Sequence, residues 1–387
     1  MDKIFFGKNL DGIKDFNISA VIRQIYENSG ISRIELAEGI GMSPAFVTKV
    51  LSRLTSEGII VEEKTTSADR GRPKVALSFN YDKYAMLGLR INNKYISSAL
   101  CNAGGEILCH FTCNIDSDFN AERILAECVA LLEKSKDFSD GRTILGIGIA
   151  APGPLPLARD RITALKGSIF DGLSDVAITD YLEEKLGLPA VLWHDAYCGA
   201  LNEYVFCGED TRYHNIVFLA TDNGVGAGII IDGRPFNGAG GFAGEVTNML
   251  ICGSDGVVSS GSIASQRLML ERCGCTSIDE CLRLVENGDE SVCAEFDSYV
   301  KALSVIAANL VVTLSPEAIV ISDRIGALDK RVYRICRSFL DEHLPREFAD
   351  SVEIRVCPYS KHSVLRGACG AVLHMAFDEP CKYFLSH

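Results

Sequence analysis

The sequence predicts an α/β chain in two parts: a small helical head with a basic wing, then a larger body of two strand-and-helix lobes. Three observations predict this. Residues 32–74 hold two short helical patterns joined by a glycine turn and followed by a polar, basic, hairpin-like segment. From Ala85 the pattern changes to short apolar strands punctuated by turn residues, with helical patterns between the later strands. A second series of that kind begins at Asn215-Ile216-Val217-Phe218-Leu219.

In the head, Ile18, Val21, Ile22 and Ile25 recur at helical spacing and predict a first helix over roughly 17–28. Ser32-Arg33-Ile34-Glu35 reads as a capping box, in which the Ser and Glu side chains satisfy the first backbone N–H groups reciprocally. Gly39 and Gly41 bracket a tight turn. Ser43 is then the N-cap of a second helix, with Pro44 in the first helical position, where a missing N–H costs nothing. Phe46, Val47, Val50, Leu51 and Leu54 form its apolar stripe, and it ends near Gly58. Two helices joined by a glycine turn, followed by a wing carrying Arg70-Gly71-Arg72-Pro73-Lys74, make a winged helix-turn-helix.

That head is expected to read a DNA operator. Ser43, Pro44, Ala45, Thr48 and Lys49 lie at the start of the second helix or off its apolar face, placed for the major groove, and Arg53 is placed for a phosphate. Arg70-Gly71-Arg72-Pro73 resembles the core of an AT-hook, in which Arg reads a narrow A·T minor groove. Two competing readings stay open: a linker with solvated arginines, and a winged helix used for protein contacts.

Bulk properties bound the rest. The chain has 387 residues, 47% hydrophobic and 23% charged, which suits two or three packed domains. Residues 1–80 carry 11 Lys/Arg and 10 Asp/Glu, so the excess negative charge lies in the body. An acidic body repels phosphates, which confines DNA contact to the head. No uninterrupted apolar run approaches the ~20 residues of a membrane span, and Met1–Leu10 lacks a secretion signal's basic and apolar regions. The expectation is a cytoplasmic protein with no membrane partner. The 15 cysteines are scattered in apolar contexts and read as reduced thiols.

In the body, Met86–Arg90, Tyr95–Cys101 and Ile107–Phe111 read as three strands. A helix at about 121–134 follows, then the strand Ile144–Ala150, a helix at about 177–186, and the strand Ala190–Trp193 ending at His194-Asp195. That order is one lobe of an actin-like ATPase (ribonuclease H-like) fold. The boundaries drawn are 1–80 for the head, 81–195 for the first lobe, and 196–387 for the second lobe with a C-terminal helix returning to the first.

With these elements placed, the chain resembles the ROK family (repressors, open reading frames and kinases) over nearly its full length. The resemblance rests on Gly71-Arg72-Pro73, Gly146 through Pro154, Leu186-Gly187-Leu188-Pro189, Asp195-Ala196, Gly224-Val225-Gly226-Ala227-Gly228, Gly244-Glu245 and Leu314-Ser315-Pro316-Glu317. The departures point to function. The family kinases' first phosphate loop resembles Gly-x-Asp-x-Gly-Gly-Thr, and its Asp is Arg90 here, with Asn92 and Asn93 in place of loop glycines. Asp222 enters the second phosphate loop, and Ser322-Asp323 replaces a Gly-Gly turn. The resemblance therefore implies a lost ATP site and no cofactor. Three of the four zinc positions are Asn248, Leu250 and Val257, which implies no zinc there. Cys273, Cys275 and Cys281 are read as free thiols, with a relocated metal site as the alternative.

The sugar side is half kept. Asp195 matches the kinases' general base and Glu245 a carboxylate that contacts sugar hydroxyls, while His194 and Asn248 replace neighbours in that pocket. The resemblance implies a ligand-contact role for His194, Asp195, Glu245 and Asn248. It points to a DNA-binding regulator, a repressor, that senses a sugar or sugar derivative, works as a homodimer or higher homo-oligomer, and does no phosphorylation. An active sugar kinase with a regulatory head, and a body that only dimerises, are the alternatives.

Overall fold

The computed structural model describes residues 10–65, 74–116, 119–153, 155, 160–162, 173–206, 213–221, 224–253, 256–322, 324–357 and 362–385. In the head, α1 (Leu10–Glu27), β1 (Ile31–Ser32), α2 (Arg33–Gly39) and α3 (Pro44–Ser56) precede β2 (Ile60–Thr65) and β3 (Lys74–Phe79). Ser32 Oγ accepts from Glu35 N at 3.3 Å and the Glu35 carboxylate accepts from Ser32 N at 2.9 Å, closing the capping box. Gly41 turns the chain at φ +64, a left-handed conformation that costs other L-residues roughly 1–2 kcal/mol. Ser43 Oγ accepts from Phe46 N at 3.3 Å, and Pro44 opens α3. Val47, Leu51 and Leu54 are buried in one core with Ile22, Ile25, Leu36 and Leu77. The strands pair antiparallel in the order β1-β3-β2. The wing tip, with Arg70, Gly71 and Arg72, lies outside the described residues.

The first helix differs from the expected 17–28: α1 begins at Leu10. Its early turns are held from far away in sequence, since Asp15 accepts from Cys381 N at 3.0 Å. A tie to the other end of the chain leaves no periodic trace in residues 10–16.

The body repeats one topology. The first lobe has β4 (Tyr84–Ile91), β5 (Tyr95–Asn102), β6 (Ile107–Asn114), α4 (Ala121–Lys136), β7 (Thr143–Ala151), α5 (Ile178–Leu186), β8 (Ala190–His194) and α6 (Asp195–Val205). Its sheet runs β6-β5-β4-β7-β8, with β4, β5 and β6 an antiparallel meander and β7 and β8 parallel additions. The second lobe has β9 (Ile216–Ala220), β10 (Gly226–Ile231), β11 (Arg234–Pro235), β12 (Leu250–Gly253), β13 (Gly256–Ser259), α7 (Gln266–Cys273), α8 (Ile278–Glu286), α9 (Glu290–Leu314), β14 (Ala318–Ser322), α10 (Asp329–His343), α11 (Arg346–Asp350) and β15 (Glu353–Cys357). Its main sheet runs β11-β10-β9-β14-β15, again an antiparallel meander extended by two parallel strands. The chain ends in α12 (Ser363–Asp378) and α13 (Pro380–Tyr383). Duplicated lobes of this order are the actin-like, ribonuclease H-like architecture.

By length and composition α9 could cross a bilayer. Its apolarity has another cause: Phe296, Val300, Leu303, Ile306 and Ala307 are fully buried in the core of the second lobe.

α12 returns to the first lobe and packs on β4, β7 and α6. Glycine makes this approach possible. A β-carbon at Gly148 would lie 1.8 Å from Ala368 O, and one at Gly367 would lie 1.7 Å from Cys198 O. α12 also carries the head. Tyr26 of α1 meets Phe377 with ring centroids 4.8 Å apart, and Phe79 of β3 meets the same ring at 5.9 Å. Tyr26 OH donates to Ala103 O at 2.9 Å, and Arg23 pairs with Asp378 at 2.9 Å.

Candidate functional site

The outer face of α3 is built to meet something. Ser43, Pro44, Ala45, Thr48, Lys49 and Arg53 are all exposed, on the side away from Val47, Leu51 and Leu54. Thr48 Oγ1 donates to Pro44 O at 2.8 Å, which pins that side chain to the helix. No ion pair ties down Lys49 or Arg53 among the described residues, whereas Arg33 of α2 is spent on Glu62 of β2 at 2.6 Å. A helix start with a serine cap, exposed short side chains and two available cations can enter a groove and hold phosphates.

The second constellation lies where β8 gives way to α6. His194 caps α6: its Nδ1 accepts from Ala196 N at 3.2 Å. That assigns the ring proton of neutral His194 to Nε2. A β-carbon placed on Gly153 would lie 2.8 Å from His194 Nε2 and 2.9 Å from Glu245 Oε1. The two side chains therefore converge on Gly153 from opposite lobes, a donor and an acceptor with a glycine between them. Gly226 of β10 lies on the other side of the ring, its β-carbon position 3.3 Å from His194 Cε1.

Asp195, the first residue of α6, points elsewhere. Its Oδ2 accepts from Arg90 Nη2 at 2.9 Å and from Arg90 Nε at 3.3 Å, while Arg90 Nη1 donates to Tyr95 OH at 3.0 Å. The Arg90 and Asp195 side chains are only 16% and 18% exposed, so water screens the pair little. Asp195 Oδ1 is buried and has no hydrogen-bond partner among the described residues. Asn248 is exposed and shares with Glu245 an open groove of about 660 Å³, whose walls include Phe242, Met249, Leu310 and Leu314.

Sequence reasoning found Arg90 only as a missing aspartate. It could not find the Arg90–Asp195 pair, whose partners are 105 residues apart, nor Tyr95 behind it. Asp222, Asn223 and Asp323 lie outside the described residues. Leu250 and Val257 are 71% and 64% exposed on a two-stranded hairpin. Cys275 Sγ donates to Cys273 O at 3.8 Å, and burial, then the neighbouring thiols, push the Cys281 thiol well up. Among the described residues no group of three His, Cys, Asp or Glu side chains is set to hold a metal ion.

A family model described as ROK family matches residues 86–375, three quarters of the chain. The chain belongs to the ROK family. A second model, winged helix-turn-helix DNA-binding, matches residues 17–61. This ROK chain is 32% identical over 266 residues to the xylose repressor of Caldicellulosiruptor bescii, covering 67% of this chain and 66% of that protein, just under two thirds of its length. It is 24% identical to the xylose repressor of Bacillus spizizenii over 381 residues, 95% of this chain and 97% of that one. Among solved structures it is similar to a ROK family transcriptional regulator described as a homologue of the E. coli MLC protein. That likeness has a TM-score of 0.80 at 22% identity over 97% of this chain and 100% of the other, and shows the shared fold. A DNA-binding head on a ROK body gives the chain the build of a transcriptional regulator.

Proposed function

We propose that this ROK protein is a sequence-specific DNA-binding repressor whose kinase-like cleft binds a neutral sugar and performs no phosphoryl transfer. The observation that carries this reading is the Arg90–Asp195 ion pair. A general base must be free to take a proton from the attacking hydroxyl, and here the matching carboxylate is bound by a guanidinium. The same carboxylate keeps one buried oxygen without a partner among the described residues, and His194 and Glu245 supply a donor and an acceptor at Gly153. Acceptors and donors of this kind suit a ligand rich in hydroxyls. Relatives named for xylose support a sugar as effector.

The head, residues 1–80, reads the operator through Ser43, Pro44, Ala45, Thr48, Lys49 and Arg53, with Arg70, Gly71 and Arg72 on the wing. The lobes are 81–195 and 196–387. The working unit is a homodimer in the cytoplasm, since paired winged heads on a two-fold operator bind far more tightly than one. The sugar closes the lobes and shifts α12, on which the head rests, changing the spacing of the two heads. Two assays test the function: ADP release with xylose, glucose and N-acetylglucosamine, and gel shift on a selected operator with the same sugars. Sugar-dependent ADP release abolished by Asp195→Asn establishes instead an active kinase with a regulatory head.

A further inference from the structure

We propose that Arg90 is a positioning residue of the effector cleft, a cation built into the fold that stands in for the metal-bound nucleotide a family kinase must recruit. The inference rests on the sugar reading above and deepens it. Arg90 lies on β4, the central strand of the first lobe's sheet, at the position where the kinases' first phosphate loop has an aspartate. Reversal of charge at that position replaces a group that organises a metal with a group that does a metal's electrostatic work. The contact is one-sided. Nε and Nη2 both donate to Oδ2 of Asp195, at 3.3 and 2.9 Å, where a forked pair would engage both oxygens. Nη1 is meanwhile held by Tyr95 OH at 3.0 Å, and the Arg90 guanidinium carbon stands 5.8 Å from the Tyr95 ring centroid.

This geometry has two consequences. The guanidinium offsets the cost of keeping a carboxylate away from water, so the Asp195 side chain is in place before any ligand arrives. It also fixes the rotation of the carboxylate, which leaves Oδ1 as a buried acceptor in a set direction. A sugar hydroxyl donating to Oδ1 then needs neither nucleotide nor metal to prepare its partner. A buried acceptor that gains its one missing donor rewards the hydroxyl that fits and penalises a deoxy analogue. Arg90 thus acts through Asp195 without itself touching the sugar.

The test is calorimetric titration of the full-length protein with xylose, glucose and N-acetylglucosamine, in EDTA and without nucleotide. For a sugar that binds, Arg90→Ala is expected to weaken affinity by roughly ten- to hundredfold, and Arg90→Lys to recover part of the loss. Guanidinium at about 20 mM, far below its denaturing range, should restore binding to Arg90→Ala, whereas urea, the same shape without the charge, should not. A merely structural role for Arg90 predicts no difference between the two additives. Arg90→Ala binding the sugar as tightly as the unaltered protein, while Asp195→Ala binds none, overturns the role of Arg90 and leaves the sugar site standing. Absence of binding by the unaltered protein, or binding that requires magnesium and nucleotide, overturns the sugar reading and the Arg90 inference with it.

Discussion

At the scale of single residues, two carboxylates in this protein do different work. Asp195 is paired to Arg90 with one oxygen to spare, and Glu245 faces His194 across Gly153. A charged hydrogen bond to a ligand is worth roughly 1.5–3 kcal/mol. Asp195→Ala and Glu245→Ala should each weaken sugar binding by about that much in calorimetry, with the fold unchanged by circular dichroism. Gly153→Ala makes a sharper probe. Its β-carbon would sit 2.3 Å from His194 Cδ2 and within 3 Å of Glu245 Oε1, so the side chains must part and affinity should fall further than for either alanine variant. Unchanged affinity in Gly153→Ala would place the ligand elsewhere. In the head, Arg72→Ala should cost about 1–3 kcal/mol of operator affinity and relax the A·T preference at the flanks, whereas Arg53→Ala should lower affinity for all sequences alike. Gel-shift titrations at two salt concentrations separate the two effects.

What was legible in the sequence follows the range of the interactions. The caps at Ser32 and Ser43 could be read because each bonds a backbone group three residues on. The strands β4, β5 and β6 could be read because the turn residues that separate them, Asn92-Asn93 and Ala103-Gly104-Gly105, are a local signal. Arg90 against Asp195 and Asp15 against Cys381 could not, because each joins residues that only the folded chain brings together. The family motifs located Asp195 and Glu245, but gave no sign that the first is already bound by a cation.

At the scale of elements, the seam between α1 and α12 is where the head meets the body. His374 of α12 lies in it, buried, with a ring nitrogen 3.0 Å from Gly233 O, and Arg23 and Asp378 beside it. Burial first, then the Arg23 guanidinium, push its pKa from 6.5 down to about 4 against the pull of Asp378. A histidine held neutral in the folded state binds fewer protons than the unfolded chain between those two values. Its contribution is therefore fully present above about pH 6.5 and is lost as pH falls toward 4, on the order of 3 kcal/mol across the window. Thermal melts should show unfolding temperature dropping from pH 7 to pH 5, and His374→Gln should flatten that drop. An identical slope in the variant would assign the acid sensitivity to other groups. Also at this scale, Ser43→Ala removes the acceptor for Phe46 N and should cost about 1 kcal/mol of stability in denaturant unfolding.

At the scale of the whole molecule, the winged head and the lobe that carries Asp195 are joined by α12, which touches β4, β7 and α6 at one side and α1 at the other. Regulation requires that the sugar bind the two lobe arrangements with different affinity, and operator affinity must then change by the same coupling factor. The central claim is that this coupling runs on sugar alone. The direct measurement is fluorescence anisotropy of a labelled operator held by the full-length protein, titrated with xylose, glucose and N-acetylglucosamine in EDTA and without nucleotide. The account predicts that at least one of these sugars changes operator affinity by roughly tenfold or more, and that Asp195→Ala binds the operator normally but no longer responds. Operator affinity indifferent to every sugar, or responsive only when magnesium and ATP are added, would contradict it.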